Sequence, residues 1–288
     1  MKLSAFAARL ARALPYLSCP LCAGALSLSQ ASLVCPGGHC FDLSAKGYVN
    51  LAPGHSQAVD KYGAALFDNR RRVFEAGFYR PVLEAVCSLL SATRPGGVFS
   101  LLDVGCGEGY YARSLSAAFP AATVLGADLS REAIVRAARG GGTAHWLVAD
   151  LKRLPVRNAA VDVILDVLTP ADYTEFGRVL APGGELLKLA PGADHLCEIR
   201  AMLAGRLRNE TYDNARVLSR LKCRAEVLER RTVRKTFPVQ PEQSDWLLRM
   251  TPMTFSVPGE ALQGLSLKEI TIHMELLRCR LHTESGHA

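Results

Sequence analysis

Four side chains that can bind a metal ion lie close together near the start of the chain. Cys19 and Cys22 form a C-x-x-C pair, and Cys35 follows after twelve residues. His39 completes a C-x-x-x-H pair with Cys35, and Cys40 beside it is a rival fourth ligand. Zn²⁺ prefers four thiolate or imidazole ligands in a tetrahedron. Because protein side chains fill all four positions, the spacing predicts a structural rather than a catalytic zinc ion.

A glycine-rich loop lies farther along the chain, between an apolar run and helix-like sequence. It reads Asp103-Val-Gly105-Cys-Gly107-Glu108-Gly109. Glycines let the backbone turn sharply and approach a ligand, and the N-terminus of the next helix then points at that ligand. The loop does not match the G-x-G-x-x-G pattern that is typical of dinucleotide-binding proteins.

Two acidic residues and a turn follow the next strands. Asp128 ends the second strand, where a carboxylate can accept hydrogen bonds from both hydroxyls of a ribose. Asp150 follows the third strand, where a carboxylate can accept a hydrogen bond from an adenine amine. The turn Leu180-Ala-Pro-Gly-Gly leads into the fifth strand. These features predict that the loop binds a nucleoside-containing cofactor.

Strand and helix signals alternate in this part of the chain and position these residues. Short apolar, β-branched runs predict strands at Val98–Val104, Thr123–Ala127, His145–Val148, Val161–Val167 and Glu185–Leu189, with helices at Tyr110–Phe119 and Arg131–Arg139. This alternation predicts an α/β fold with a Rossmann-like parallel sheet and helices on both faces. Edge strands are predicted at Thr232–Val239 and Ile270–Leu281, with a helix at Gln243–Met250 between them.

The chain is predicted to have three parts. Residues 1–52 form an N-terminal helix, which ends at Pro15, and a small zinc-binding module. Residues 53–95 form a helical connection that contributes to the cofactor site, and residues 96–288 form the α/β domain. The N-terminal segment is basic and acid-free like a transit peptide, but arginines interrupt its apolar residues.

Composition narrows the class of protein further. The chain has 288 residues, of which 49% are apolar and 21% charged, as in ordinary globular proteins. No apolar stretch is long enough to span a membrane. The 34 Lys and Arg against 27 Asp and Glu give a net charge of +7, which fits both a polyanionic partner and a basic protein without one. Nine cysteines, an odd number, favour reduced thiols and a cytoplasmic protein over a disulfide framework.

The glycine loop, the lone acid after the second strand and the L-x-P-G-G-x-L turn together resemble a class I S-adenosylmethionine-dependent methyltransferase. The zinc motif and three phrases make the resemblance more specific: Phe41-Asp-Leu-Ser-Ala-Lys-Gly-Tyr-Val-Asn-Leu, Glu75-Ala-Gly-Phe-Tyr79 and Gly105-Cys-Gly-Glu-Gly-Tyr. With them the chain resembles the 23S rRNA guanine-N1 methyltransferases of the RlmA/TlrB type. The resemblance implies methylation of guanine N1 in a hairpin loop, at position 748 rather than 745, and leaves a homodimer open.

The resemblance also implies roles for individual residues. The ligands of a structural zinc ion would be Cys19, Cys22, Cys35 and His39. The residues that bind S-adenosyl-L-methionine would be Tyr79, Asp103, Gly105, Gly107, Glu108, Gly109, Asp128, Asp150 and His195. Apart from the resemblance, Asp166 at the end of the fourth strand is the candidate for contact with the reacting base, since ligands bind at the carboxyl ends of parallel strands. A carboxylate there could instead contact the ammonium group of the cofactor or cap a turn.

Basic residues predict where RNA would bind. Residues 1–41 contain no acid, Asn69-Arg70-Arg71-Arg72 is strongly cationic, and the stretch 200–235 is rich in arginine. Two alternatives stay open. A small-molecule methyltransferase would need an apolar lid, and a non-catalytic RNA-binding protein would need an impaired cofactor loop.

Overall fold

The structure is a computed structural model that describes residues 3–54, 63–207 and 214–282. In these ranges, eleven strands form one sheet. The strands are β1 Ser27–Ser29, β2 Ser32–Val34, β3 Cys40–Ser44, β4 Tyr48–Asn50, β5 Ser100–Val104, β6 Thr123–Asp128, β7 His145–Val148, β8 Val161–Val167, β9 Leu180–Pro191, β10 Ala225–Pro238 and β11 Glu269–Leu281.

Nine α-helices pack around this sheet in the same ranges. They are α1 Leu3–Leu10, α2 Ala64–Glu75, α3 Arg80–Thr93, α4 Tyr110–Ala118, α5 Arg131–Arg139, α6 Tyr173–Val179, α7 Cys197–Met202, α8 Ala215–Lys222 and α9 Pro241–Arg249. None of the helices in the described ranges is long and apolar enough to cross a membrane. The first helix ends at Leu10, earlier than the predicted end at Pro15, which instead lies in a short 3₁₀ turn.

Five parallel strands form the centre of the sheet, in the order β7-β6-β5-β8-β9. All five residues of β5 are buried, because helices cover both faces, and this explains the continuous apolar run in the sequence. The predicted α/β fold is thus confirmed. β5 begins two residues later than predicted, and Val98 is 79% exposed. The chain leaves β5 toward β6 on one side, while β8 lies on the other, so a crevice opens at the carboxyl ends of β5 and β8.

The predicted zinc-binding module continues the central sheet. Its last strand, β4, pairs in parallel with β7, with Tyr48 opposite Trp146 and Asn50 opposite Val148. Phe6 and Leu33 from the module belong to the same apolar cluster as Leu125 of β6. The sequence predicted a small unit without a large core, whereas these contacts give the module a share in the core of the α/β domain. The boundary at residue 52 stays a prediction. Residues 55–62 of the connection that follows lie outside the described residues, and α2 and α3 occupy most of the rest.

A long antiparallel hairpin closes the other end of the sheet. β11 pairs with β9 on one side and β10 on the other, so β10 rather than β11 is the edge strand at this end. The prediction of two edge strands was therefore wrong for β11. Its burial explains the difference: most of its residues are buried, as expected for an interior strand. The predicted helix at Gln243–Met250 is confirmed as α9.

Candidate active site and metal centre

The predicted zinc ligands converge in the structure. One ligand atom each from Cys19, Cys22, Cys35 and His39 lies within 4.8 Å of every other. His39 Nδ1 is 3.3 Å from the sulfur of Cys35, and the sulfurs of Cys22 and Cys35 are 3.6 Å apart. A tetrahedral site with zinc–sulfur bonds of about 2.3 Å separates its sulfurs by about 3.8 Å. The donor set and spacing fit zinc, and the cluster contains His39 rather than Cys40, which is exposed.

The metal cluster lies against the segment that follows β7. Arg153 donates to the carbonyl oxygen of Leu21 at 3.2 Å, between the first two cysteines. The backbone N–H of Ser18 donates to the carbonyl of Pro155 at 3.0 Å. These bonds fix the metal-binding turn to residues 150–157, and Asp150 at the start of that segment lines the main cavity.

The main cavity opens at the carboxyl ends of the parallel strands and has a volume of about 1280 Å³. Eight of the nine predicted cofactor-binding residues line it: Tyr79, Asp103, Gly105, Gly107, Glu108, Asp128, Asp150 and His195. Gly109 is not in its wall. The cavity extends well beyond these residues, to α6, α8 and the segment 250–253, so it has space for a second ligand beside a cofactor.

The glycine loop approaches its neighbours too closely for side chains at two positions. Gly105 has φ +67°, and a Cβ atom there would overlap Thr169 on the far side of the crevice. Gly109 has φ +81°, and its Cβ would overlap the ring of Trp146. Gly109 therefore shapes the turn that begins α4, while Gly105 and Gly107 form the wall of the cavity.

Two aspartates hold this loop in place while they line the cavity. Asp128 accepts a hydrogen bond from Gly107 N–H at 2.9 Å and another from Ser130 N–H at 2.8 Å. Asp103 is 2% exposed and accepts from the N–H of Ala112 in α4 at 3.2 Å. Burial, and then the nearby carboxylates, raise the pKa of Asp103 well above its usual range.

Glu108 indicates which kind of ligand suits the part of the cavity beside the glycine loop. Its side chain is 3% exposed, and its Oε1 has no hydrogen-bond partner within the described residues. Burial raises the pKa of Glu108 to about 7. A buried acceptor without a partner, beside the carboxylates of Asp103 and Asp128, suits a ligand that carries positive charge. S-adenosylmethionine has both an ammonium group and a sulfonium, and these residues fit it.

Tyr79 and His195 meet in the cavity wall, although they are far apart in the sequence. The Tyr79 hydroxyl lies 3.3 Å from His195 Nε2. His195 Nδ1 accepts a hydrogen bond from the backbone N–H of His273 at 3.3 Å, so the neutral ring carries its proton on Nε2 and donates to Tyr79. Burial lowers the pKa of His195 to about 3, which keeps the ring neutral. The Tyr79 O–H is then a donor that can turn toward a ligand.

Asp166 does not lie in the cavity wall. Its side chain is fully buried, and its Oδ2 accepts a hydrogen bond from Lys188 Nζ at 2.8 Å. Lys188 itself lines the cavity. No pattern in the sequence marks Lys188 as part of the site, since a single lysine in a strand ordinarily indicates an exposed position. Direct contact between Asp166 and the reacting base stays a prediction. The burial of Asp166 behind Lys188 does not favour such a contact.

The cationic segment after Asn69 has two kinds of arginine. Arg70 lines the cavity, and its Nε donates to the carbonyl of Met250 at 3.0 Å. Arg71 and Arg72 are exposed on α2, where Arg71 lies 3.6 Å from Glu75 and Arg72 lies over the ring of Trp246. In the predicted basic stretch 200–235, residues 208–213 lie outside the described residues, and Arg220 and Arg224 line the cavity.

Comparison with known protein families defines the class of this chain. Residues 101–184 match a methyltransferase domain, and residues 17–58 match the N-terminal zinc ribbon of RlmA. With the class I sheet and the carboxylate-lined cavity, these matches define an S-adenosylmethionine-dependent methyltransferase with a structural zinc module.

Comparison with individual proteins identifies the family. The 23S rRNA (guanine(748)-N(1))-methyltransferase of Streptomyces fradiae is 30% identical over 275 residues, which cover 92% of this chain and 96% of that one. YxjB of Bacillus subtilis (strain 168) is 35% identical over 269 residues, which cover 90% and 95% of the two chains. The chain belongs to the 23S rRNA (guanine-N1)-methyltransferase family.

Proposed function

We propose that this protein transfers a methyl group from S-adenosylmethionine to N1 of a guanosine in a hairpin loop of 23S rRNA. The observation that carries the proposal is the size and lining of the cavity. One half is lined by carboxylates that suit the cationic cofactor, and the other half extends to Arg220 of α8 and to Arg224 just after that helix. The long match to the Streptomyces fradiae enzyme, which is named for this reaction, supports the proposal.

Each group in the cofactor-binding half has a proposed role. Asp128 would accept hydrogen bonds from the ribose hydroxyls, and Asp150 would accept one from the adenine amine. Glu108 and Asp103 would bind the ammonium end, and the Tyr79 hydroxyl, oriented by His195, would donate to the cofactor. When bound, the cofactor would supply a methyl group on an electron-poor sulfur, and the fixed geometry of these residues would lower the barrier to transfer.

The RNA-binding half combines the cavity mouth with the zinc module. Arg220 and Arg224 lie at the mouth, where they can contact the phosphates of an extruded nucleotide. Arg71 is exposed on α2, and the zinc module is bonded to the segment that carries Asp150. We infer that these surfaces hold the hairpin while one guanosine enters the cavity, because extruding a base costs a few kcal/mol that backbone contacts must offset.

Position 748 is the proposed target within the hairpin, because the Streptomyces fradiae relative is named for it. The experiment compares 23S rRNA from cells with and without the gene, by mapping N1-methylguanosine with mass spectrometry of nuclease fragments. We expect the modification at 748 to disappear with the gene and to return on complementation. Loss at 745 instead would refute the position, and unchanged rRNA would refute the function.

A further inference from the structure

A buried ion pair lies beside the half of the cavity assigned to the base. Lys188 of β9 and Asp166 of β8 are direct neighbours in the parallel register, so their side chains lie on the same face of the sheet. Lys188 is 4% exposed, and its Nζ donates to Asp166 Oδ2 at 2.8 Å and to the carbonyl of Thr169 at 3.1 Å. An ammonium has three N–H groups, and these two acceptors leave one for a ligand.

Stability alone does not explain why an ion pair is buried at this position. Two charges lose their hydration in the interior, and a well-packed apolar pair of similar volume is often at least as stable. Glu185 of β9 forms bridges with Arg278 of β11 and with Arg94, but none of these three residues lines the cavity. Lys188 differs because its ammonium group lies in the cavity wall. It is held there beside Thr169, the residue that faces Gly105.

The proposed reaction needs a positive charge at such a place. Guanine N1 carries a proton at neutral pH, and its lone pair becomes available only when that proton leaves. The proton passes to solvent water, and the negative charge that remains is shared between N1 and O6. The N1 lone pair then forms the bond to the methyl carbon, while the electrons of the carbon–sulfur bond stay on sulfur. A cation at O6 stabilises the anion that precedes transfer.

We propose that Lys188 donates a hydrogen bond to O6 of the target guanine and stabilises its N1 anion. Asp166 acts through Lys188 as a positioning residue that holds the ammonium in the cavity wall. This inference rests on the proposed function, and it replaces direct contact of Asp166 with the base.

Other titratable groups around the pair do not supply the same charge. Tyr173 of α6 and Cys279 of β11 face it, and burial raises the pKa of each to about 12, so both stay neutral near pH 7. Burial also raises the pKa of Asp166, against the opposing effect of the Lys188 ammonium. Arg220 of α8 faces Tyr173. Asp103 and Glu108 titrate in the cofactor half, and every variant below retains them.

The test is the pH dependence of single-turnover methylation of an rRNA hairpin. The double variant Lys188→Met/Asp166→Asn removes both charges, so no unpaired ion is buried. We expect its rate at neutral pH to fall about 100-fold. We also expect the midpoint of its pH–rate curve to rise by about 1–2 units, because the cation no longer favours the anion. Affinity for S-adenosylmethionine, measured by calorimetry, should be unchanged.

Two further variants control for folding and charge. Glu185→Gln/Arg278→Met removes an ion pair from the same sheet away from the cavity, together with the Arg94–Glu185 bridge, and its pH–rate curve should match that of the unaltered protein. Lys188→Arg keeps the cation and should retain more activity than the double variant. A double variant with an unaltered curve, or with lost cofactor affinity, would overturn the assignment. Because the unaltered protein is first shown to make N1-methylguanosine, this failure differs from failure of the proposed function.

Discussion

Replacement of Glu108 by Gln should make the protein more stable and its cofactor site weaker. Burial in the folded protein raises the pKa of this carboxyl from 4.5 to about 7, so the folded state binds the proton more tightly than the unfolded state does. The free energy of unfolding of the unaltered protein therefore falls as pH rises from about 4.5 to about 7, and stays lower above that. At 1.36 kcal/mol per unit, the pH-dependent loss is about 3 kcal/mol. Gln does not ionise, so the variant should lack this loss in urea unfolding at different pH values.

Cofactor affinity should change with pH in the opposite direction to stability. An ammonium group favours ionised Glu108, so S-adenosylmethionine should bind the unaltered protein more tightly as pH rises toward about 7. Glu108→Gln should bind about 10-fold to 100-fold more weakly at pH 7, because a hydrogen bond to a charged group is lost, and with little dependence on pH. Calorimetry measures both effects, and Glu84→Gln, an exposed position on α3, is the control. Unchanged affinity and pH dependence in the Glu108 variant would refute the assignment.

Three further changes test the metal, the ribose contact and the loop. Cys22→Ser should release about one zinc ion per chain. It should also lower the melting temperature of the whole protein, since the zinc module shares its sheet and core with the α/β domain. Elemental analysis measures the zinc and calorimetry the melting temperature, and zinc retained by the variant would contradict the prediction. Asp128→Ala should weaken S-adenosylmethionine binding by about 1–3 kcal/mol in titration calorimetry, and Asp128→Asn by less. If the Ala variant bound the cofactor as tightly as the unaltered protein, Asp128 would not be a ribose ligand. Gly109→Ala should lower the free energy of unfolding by about 2–4 kcal/mol, because φ is positive there and the new methyl group would overlap Trp146; a stable variant would contradict this backbone geometry.

The central strands and the metal ligands could be predicted because each leaves a local pattern. Buried parallel strands require continuous apolar runs such as that around Leu101, and zinc knuckles require closely spaced cysteines. The pairing of β4 with β7 could not be predicted, because it joins segments almost a hundred residues apart and depends on tertiary contacts. The same limit hid the role of Lys188, whose charge is compensated by Asp166 on a neighbouring strand.

Identification of the methylated nucleoside tests the central claim most directly. The purified protein with zinc bound is incubated with an rRNA hairpin and S-adenosylmethionine that carries a labelled methyl group. The RNA is then digested to nucleosides, which are separated by chromatography against standards. The structure and the family predict that the label elutes as N1-methylguanosine. Label in another nucleoside, or none in RNA from protein that binds the cofactor, would contradict the account.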